Sequence, residues 1–550
     1  MTRRLAGFGL VVLAATTRLQ AQGGPPASIS GLGSLVFPVS TASNAAREAF
    51  ERGVLLLHLF HYGDARGAFR EAERLDPGMT MAYWGEALAW TYPIWNVPHA
   101  DSGRAALAQL GPTPAARAAK ARTPRERGYL EALEPLYGDG AKAVRDTLYA
   151  SAMEHLSRAY PKDDEAKLFY TLALMGLSQG VRNVPTYLKA ADLAEEVFRR
   201  QPNHPGAEHY LIHAVDDPDH ATRGLDAARA LSRTAPDAHH AQHMTSHIFM
   251  ALGLWDDVVA ANENAVRVAS RDLQNRGRAP DHCGHYITWL NYGYLQQGRF
   301  AEARELTRQC QDQGEASLAT AGTDGIDPDE SDIGSAVWMW SRYLLDTAGW
   351  DRLAAGWQLA VDTNVIHSSL NYHFTKSLAA ARRGDGEAAG LEYGRFRAAY
   401  RLLEERTVAS PEPPPDVTED LKRLAVLDLE LQALIRDGDG RGDSAVALLR
   451  RATAIEDGMA YAFGPPTVNK PSHELLGEQL LAMRRAAEAR EEFARALRRT
   501  PRRAAALLGL ARAEMLLGGP AEAARSYAEL SAIWHAAGVG VPGLAEARTR

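Results

Sequence analysis

Residues 473–501, which read HELLGEQLLAMRRAAEAREEFARALRRTP, decide the fold. Small residues, Gly477 and Ala489, stand where the two helices of a pair would approach each other. Phe493 follows at a position that buries against the next pair, and Pro501 ends the second helix because proline cannot continue it. This spacing is typical of a helix–turn–helix repeat of about 34 residues.

The same template fits other parts of the chain. The matching positions are Leu508, Gly509 and Ala521; Ala65, Phe69, Ala72, Pro77, Trp84 and Gly85; Gly253, Trp255 and Val258; and Leu290, Tyr294, Gly298, Phe300 and Ala303. The composition, rich in Ala, Leu, Arg and Glu, also favours helix over strand. We therefore predict an all-α fold, a right-handed α-solenoid built from tetratricopeptide-type helix pairs.

Composition excludes two classes of partner. The chain has 550 residues and a formal net charge of −7, with 61 basic and 68 acidic side chains. Without a basic excess there is no electrostatic footprint for phosphate backbones, so we expect no nucleic-acid partner. Beyond the N-terminus no stretch reaches about 18 apolar residues, so we expect no membrane span in the mature chain.

The N-terminus is typical of a secretory signal peptide. Arg3 and Arg4 precede an apolar run over residues 5–17, and Ala21 offers a small residue for cleavage. We expect residues 1–21 to be removed and the mature protein to be periplasmic or secreted, without a lipid-modified cysteine. The cysteines Cys283 and Cys310 would then meet an oxidising compartment, where a disulfide and two buried thiols are both consistent with the sequence.

Three stretches interrupt the repeats and suggest a domain organisation. Residues 22–42 are rich in Gly, Pro and Ser and are expected to be extended. An N-terminal array then covers residues 43–406, with an insertion at about 92–125 that carries several prolines. Residues 407–416 form a proline-rich connector, and a C-terminal array covers residues 417–550.

Four segments resemble a family of bacterial exported tetratricopeptide proteins. They are residues 81–87 (MAYWGEA), 204–213 (HPGAEHYLIH), 241–249 (AQHMTSHIF) and 470–474 (KPSHE). The resemblance covers nearly the whole mature chain and implies the repeat fold and export, but it supplies no mechanism. Members of that family carry His-x-x-His-Trp where this chain reads HYITW from His285 to Trp289, so Thr288 replaces one histidine of the pattern.

Several histidines fall on one face of the repeats. In a tetratricopeptide array the second, fifth, ninth and twelfth positions of each first helix share the face that lines the concave groove. The repeat register assigns seven side chains on three consecutive first helices to these positions: His209, His213 and Asp216; His240, His243 and His247; and His285.

Such a patch suits metal binding. Two histidines at i and i+4 place both imidazoles on one side of a helix, and neutral imidazole is a good ligand for zinc and other transition metals. Asp216 would be a further ligand or an acceptor that fixes a histidine tautomer. The alternative is that these histidines are solvated or support packing. The histidines outside the patch, among them His58 and His61, are assigned to packing.

Two functions follow from these patterns. The leading hypothesis is an exported scaffold that binds a protein or peptide partner in its concave groove. Glu86, Glu474 and Glu478 would line that groove near its ends and favour a basic ligand. The alternative is a metalloprotein with a transition-metal site at these histidines. A catalytic role for that site is the less favoured prediction, because no motif here matches a specific reaction.

Overall fold

A computed structural model describes residues 31–94, 97–321, 331–350, 357–361, 366–408 and 415–549. The signal peptide expected at residues 1–21 lies outside the described residues. Residues 31–43 carry no helix, and Leu32 and Phe37 of this segment are buried against the helices.

The first half of the chain is helical apart from one small strand pair. Helices α1 to α9 are Asn44–His58, Tyr62–Leu75, Thr80–Leu88, Ala100–Leu110, Pro114–Ala118, Pro124–Leu133, Lys142–Ala159, Asp164–Gly176 and Val184–Arg200. Strands β1 (Thr91–Tyr92) and β2 (Val97–Pro98) pair antiparallel between α3 and α4. Helices α10 to α16 are Pro205–Ala214, Leu225–Thr234, His239–Ala251, Trp255–Asn275, His285–Gln296, Phe300–Ala321 and Asp332–Thr347.

The second half continues in the same way. Helices α17 to α25 are Ile366–Arg382, Gly386–Val408, Pro415–Gly438, Gly442–Asp457, Ser472–Ala482, Ala486–Arg499, Ala504–Leu516, Pro520–Ile533 and Leu544–Thr549. Short 3₁₀ helices cover Glu134–Tyr137, Ala221–Gly224 and Trp534–Ala536.

The close approach of helices explains the repeat signature. The ring of Phe493 lies against Gly477 of its own pair and Gly509 of the next, where a Cβ atom would come within 2.9 Å and 2.3 Å of the ring. Phe69 lies in the same way against Gly53 and Gly85, where a Cβ atom would come within 2.7 Å and 2.3 Å. The aromatic ring therefore fills the space that the missing side chains leave between successive pairs.

Successive helices pack side by side as antiparallel pairs, and the pairs stack. Helices α1 and α2, α12 and α13, α17 and α18, and α19 and α20 are among the closely packed pairs. First helices of neighbouring pairs also touch, as α8 touches α10, α10 touches α12 and α14 touches α16. The predicted all-α solenoid of tetratricopeptide-type helix pairs is thus confirmed.

The C-terminal helices return to the middle of the chain. Trp534 Nε1 donates to the carbonyl of Gln296 at 3.0 Å, and Gly538 N donates to the carbonyl of Gly298 at 3.1 Å. Arg502 Nη1 donates to the carbonyl of Gly253 at 2.9 Å. The solenoid therefore closes on itself between α23–α24 and the turns that follow α12 and α14.

Packing crosses the expected domain divisions. One buried cluster joins residues from Leu32 to Tyr292 with residues from Ala504 to Ala547, and a second runs from Leu345 to Ala513. Residues 407–408 end α18 and residues 415–416 begin α19, while 409–414 lie outside the described residues. The insertion expected at about 92–125 holds β2, α4, α5 and the start of α6.

Two further features bear on the sequence expectations. Cys283 and Cys310 form a buried disulfide that ties the segment before α14 to α15, so the alternative of two free thiols is not the arrangement found. Within the described ranges no helix is long and apolar enough to cross a membrane.

Candidate metal centre

Six of the histidines predicted from the repeat register meet on α10, α12 and α14. One ring nitrogen from each of His209, His213 and His240 lies within 4.8 Å of the other two.

The same holds for the second set, His243, His247 and His285. The two sets adjoin, since the ring centroids of His213 and His247 are 5.7 Å apart and those of His240 and His243 are 6.2 Å apart. The six side chains thus form one group, called the histidine cluster below.

Hydrogen bonds fix the tautomers of three members of the cluster. His209 Nδ1 lies 2.6 Å from the backbone carbonyl of His58, which only accepts, so Nδ1 carries the proton. His247 Nδ1 likewise donates to Asp216 Oδ2 at 2.6 Å. His243 Nδ1 lies 2.7 Å from Asn262 Oδ1. In each neutral ring the remaining nitrogen, Nε2, is therefore a bare lone pair.

The orientation of the Asn262 amide is fixed by its own contact. Its Nδ2 donates to the carbonyl of Val258 at 2.9 Å, so Oδ1 is the atom that faces His243. When both rings are neutral, the Nε2 atoms of His243 and His247, which lie 3.1 Å apart, have no hydrogen between them. Two facing acceptors repel each other unless a cation lies between or beside them.

Burial lowers the pKa of several histidines of the cluster and so favours their neutral form. His209 and His243 are fully buried, and burial lowers the pKa of His209 to about 3. Burial also lowers the pKa of His213 and of His243 well below the ordinary value, and the neighbouring histidines lower both further. For His209, His213 and His243 the neutral form is therefore favoured, and neutral imidazole is the form that binds metals.

Polar atoms inside the cluster also lack partners. Among the described residues, neither Nδ1 nor Nε2 of His213 has a hydrogen-bond partner, and the same is true of His209 Nε2. Buried polar atoms are nearly always satisfied, so unsatisfied nitrogens that converge on one point indicate a ligand-binding position.

Asp216 occupies the second of its two predicted roles. Its carboxylate accepts the proton-bearing nitrogen of His247, and its backbone carbonyl accepts from Arg182 Nη1 at 2.6 Å. The carboxylate thus orients a ring of the cluster and is not among the groups whose ligand atoms converge. Carboxylate–histidine pairs of this kind are typical of metal sites.

A second buried network was missed by the sequence analysis. His58 Nε2 lies 2.7 Å from Glu165 Oε2, and His204 Nε2 lies 2.9 Å from Glu165 Oε1. His58 Nδ1 lies 2.9 Å from Tyr210 Oη, and His204 Nδ1 accepts from the backbone N–H of Gly206 at 3.2 Å. Every nitrogen of both rings is therefore engaged.

This network acts as a support for the cluster. Burial acts to raise the pKa of Glu165, but the charges and hydrogen bonds of His58 and His204 outweigh it and hold that pKa at about 2. The ionised carboxylate anchors His58, whose backbone carbonyl in turn holds His209. Glu165 is 107 residues from His58 in sequence, so no local pattern could have shown the contact.

Residues 459–469, called the closing segment here, lie across the cluster. The ring of Phe463 packs on those of His213 and His247, with centroids 5.8 Å and 6.2 Å away. Gly464, with φ of +84°, runs so close to the indole of Trp289 that a Cβ atom would lie 2.1 Å from it. The concave face that would receive a peptide is covered here by the chain itself.

A cavity of about 960 Å³, called the chamber below, adjoins the cluster. His240 and His285 border it, together with Tyr286, Trp289 and Phe463. The cluster therefore has one buried side, held by His58, Asp216 and Asn262, and one side that meets the chamber.

The three glutamates expected in the groove are all paired. Glu86 is buried and accepts from Arg70 Nε at 2.6 Å, and burial together with its charge raises the pKa of neighbouring Glu73 to about 8. Glu474 and Glu478 belong to an ion network, in which Lys470 Nζ lies 2.6 Å from Glu474 and 2.5 Å from Glu478.

Arg503 also holds Glu474 at 2.7 Å, and Arg382 holds Glu478 at 2.6 Å. These carboxylates therefore tie helices together, and their charges are already compensated by cations of the chain.

No protein-family model matches the sequence, and no curated protein matches it either. Among solved structures, the human IFIT1 dimer with m7Gppp-AAAA has 13% identity and a TM-score of 0.34, covering 89% of this chain and 90% of its own. Yeast Tom70 has 12% identity and a TM-score of 0.27, covering 92% and 94%. The P58(IPK) TPR domain has 14% identity and a TM-score of 0.19, covering 86% and 98%. Likeness at this level carries no inference about function.

Proposed function

We propose that the protein is a metalloprotein whose histidine cluster binds a transition-metal ion. The observation that carries the proposal is the 3.1 Å contact between Nε2 of His243 and Nε2 of His247, in two rings whose Nδ1 atoms are engaged by other partners. Two nitrogens bound to one zinc ion at about 2.05 Å in tetrahedral geometry are separated by about 3.3 Å. The existing separation matches this without rearrangement.

The donor set restricts the choice of metal. Six imidazoles with no thiolate suit zinc, copper, nickel or iron, and disfavour magnesium and calcium, which prefer oxygen ligands. The two sets of three histidines adjoin, so the cluster offers ligands for one ion in each set. The number of bound ions is therefore one of the quantities to measure.

A catalytic role is the second candidate function. His240 and His285 border the chamber, so an ion held by either set would have an open position facing a space large enough for a small molecule. Three protein ligands and one open position is the arrangement of catalytic zinc sites.

The leading sequence hypothesis, a scaffold for a peptide or protein, is supported by the solenoid architecture alone. Opposing it, the closing segment covers the histidine face and the candidate glutamates are already paired. We therefore propose that any protein partner binds on the outer surface. Separately, we propose that the protein is exported, because Cys283 and Cys310 form a buried disulfide.

Metal content of the purified protein, measured by mass spectrometry after reconstitution with zinc or copper and removal of excess, tests the proposal. We expect one or two equivalents in the wild type and at least one equivalent fewer in the His243→Gln/His247→Gln double variant. His155→Gln alters an exposed histidine on α7 and serves as the matched control. Absence of metal from the reconstituted wild type, or equal content in the double variant, would overturn the proposal.

A further inference from the structure

One buried arginine beside the chamber makes no ion pair within the described part of the chain. Arg342 on α16 borders the chamber and is only 2% exposed. Within the described part of the chain, no carboxylate lies within ion-pair distance of its guanidinium. Its Nη2 donates to the backbone carbonyl of Pro466, and its Nε has no hydrogen-bond partner among the described residues.

The other charged side chains described along the chamber form ion pairs with groups of opposite charge. Arg423 pairs with Asp420 at 2.7 Å, and Asp420 also meets His367 at 3.3 Å. Glu419 pairs with Lys422 at 2.5 Å.

Arg182 is also compensated, by Asp217 at 2.7 Å. Arg503, the nearby buried arginine, holds both Glu474 and Asp346. Among these four arginines, Arg342 alone makes no ion pair within the described residues.

Burial without a partner is costly for a charged group. Burial lowers the pKa of Arg342 to about 10, which still leaves the guanidinium charged at neutral pH. Its aromatic neighbours, with Cζ 3.9 Å from the centre of the Trp338 ring, compensate part of that charge. A buried ion without full compensation is costly, so a guanidinium of this kind beside a cavity suits an anionic ligand.

A second donor points to the same ligand chemistry. Ser368 on α17 also borders the chamber, and its hydroxyl is buried without a partner among the described residues. A guanidinium and a hydroxyl are the donors that a carboxylate accepts, and arginine binds a carboxylate with two parallel hydrogen bonds.

The walls and the volume define the rest of the ligand. Trp289, Trp338, Tyr286, Tyr461 and Phe463 all border the chamber. Aromatic walls bind planar apolar groups, and about 960 Å³ is within the range of small-molecule sites.

We propose that the chamber binds a small organic carboxylate with a planar apolar body, whose carboxylate is held by Arg342 and Ser368. This inference rests on the proposed function only where it makes that molecule the substrate or co-ligand of the metal centre. Binding itself needs Arg342 and the aromatic walls, so it is tested in metal-free protein.

The probes are 2-naphthoate and 2-naphthamide, which share a planar body and differ in charge. Titration calorimetry on metal-free protein is expected to show at least tenfold tighter binding of the naphthoate. Arg342→Gln is expected to abolish this preference. Arg397→Gln, which alters an arginine stacked on Tyr400 at 4.9 Å and away from the chamber, is expected to retain it.

Equal affinity for the two probes, a preference that survives Arg342→Gln, or no binding of either at millimolar concentration would overturn the inference. If Arg342→Gln does not fold, Ser368→Ala replaces it, and unchanged naphthoate affinity then counts against the site. The His243→Gln/His247→Gln variant separates the two proposals. Naphthoate binding that persists there supports the chamber whatever the metal content, whereas binding that requires zinc would assign the carboxylate to the metal.

Discussion

The indole N–H of Trp255 donates to the backbone carbonyl of Arg502 at 2.8 Å, joining two points of the chain that are 247 residues apart. The guanidinium of Arg502 forms a second hydrogen bond between the same two segments, since it donates to the carbonyl of Gly253. This reciprocal pair fastens the turn after α12 to the turn before α23. It holds the solenoid closed at this point.

We predict that Gly253→Ala destabilises the protein by about 2–4 kcal/mol. Gly253 has φ of +66°, and a Cβ atom there would lie 2.4 Å from the backbone oxygen of Pro501, which cannot move away cheaply. Gly277→Ala is the matched control, since Gly277 has φ of +69° with open space around it and should cost only about 1 kcal/mol. Urea unfolding of both variants measures the difference, and equal losses would mean that the closure contributes nothing to stability.

Asp216→Asn is predicted to weaken metal binding about 10- to 100-fold while leaving the ligands themselves in place. The carboxylate of Asp216 accepts the Nδ1 proton of His247 at 2.6 Å, which raises the basicity of Nε2. Competition with a chelator measures the affinity for zinc. Asp226→Asn removes an exposed carboxylate on neighbouring α11 and should bind zinc as the wild type does. Equal zinc affinity in the two variants would show that Asp216 does not contribute to metal binding.

Removal of the disulfide by Cys283→Ser/Cys310→Ser is predicted to lower the free energy of unfolding by about 3–4 kcal/mol. The bridge closes a loop between cysteines 27 residues apart, and its loss restores that freedom to the unfolded chain. Denaturant unfolding without reductant provides the measurement. A variant as stable as the oxidised wild type would show that the cysteines do not constrain the fold.

His473 is predicted to stabilise the protein more at pH 6 than at pH 9. Burial acts to lower its pKa, but hydrogen bonds to Glu492 at 2.5 Å and Asp457 at 3.0 Å outweigh that and raise it. Because the pKa is higher in the folded state, the contribution is fully present below the unfolded value of about 6.5 and is lost as pH rises through the folded value.

The variant that tests this is His473→Gln, which should cost of order 1 kcal/mol more at pH 6 than at pH 9. His155→Gln, at an exposed position, should show no such difference between the two conditions. Thermal unfolding at both pH values measures the effect, and a pH-independent loss for His473→Gln would contradict the ion-pair interpretation.

The helix pairs were predictable because their determinants are local. Gly477, Phe493 and Gly509 act within one repeat and the next, and their spacing is visible in the sequence. Closure of the solenoid was not predictable, since the contact between Gly298 and Gly538 depends on the summed rotation of every intervening pair. Small errors in the expected rotation of each pair accumulate over so many pairs.

The candidate site was also predictable in part, in the positions of its histidines. Register alone assigned His209, His243 and His247 to one face of adjacent helices, and the structure places them together. What fixes their tautomers was largely hidden: Asn262 and the carbonyl of His58 come from other helices, and neither carries a motif. The metal itself stays a prediction.

Closure of the solenoid limits how the number of repeats can change during evolution. An open array can gain or lose units at its ends, because each unit contacts only its neighbours. Here Pro501 must meet Gly253, so the circumference sets the number of units that fit. Duplicating one helix pair would separate those residues and break the closure, so variation should concentrate in loop lengths and leave the repeat number fixed.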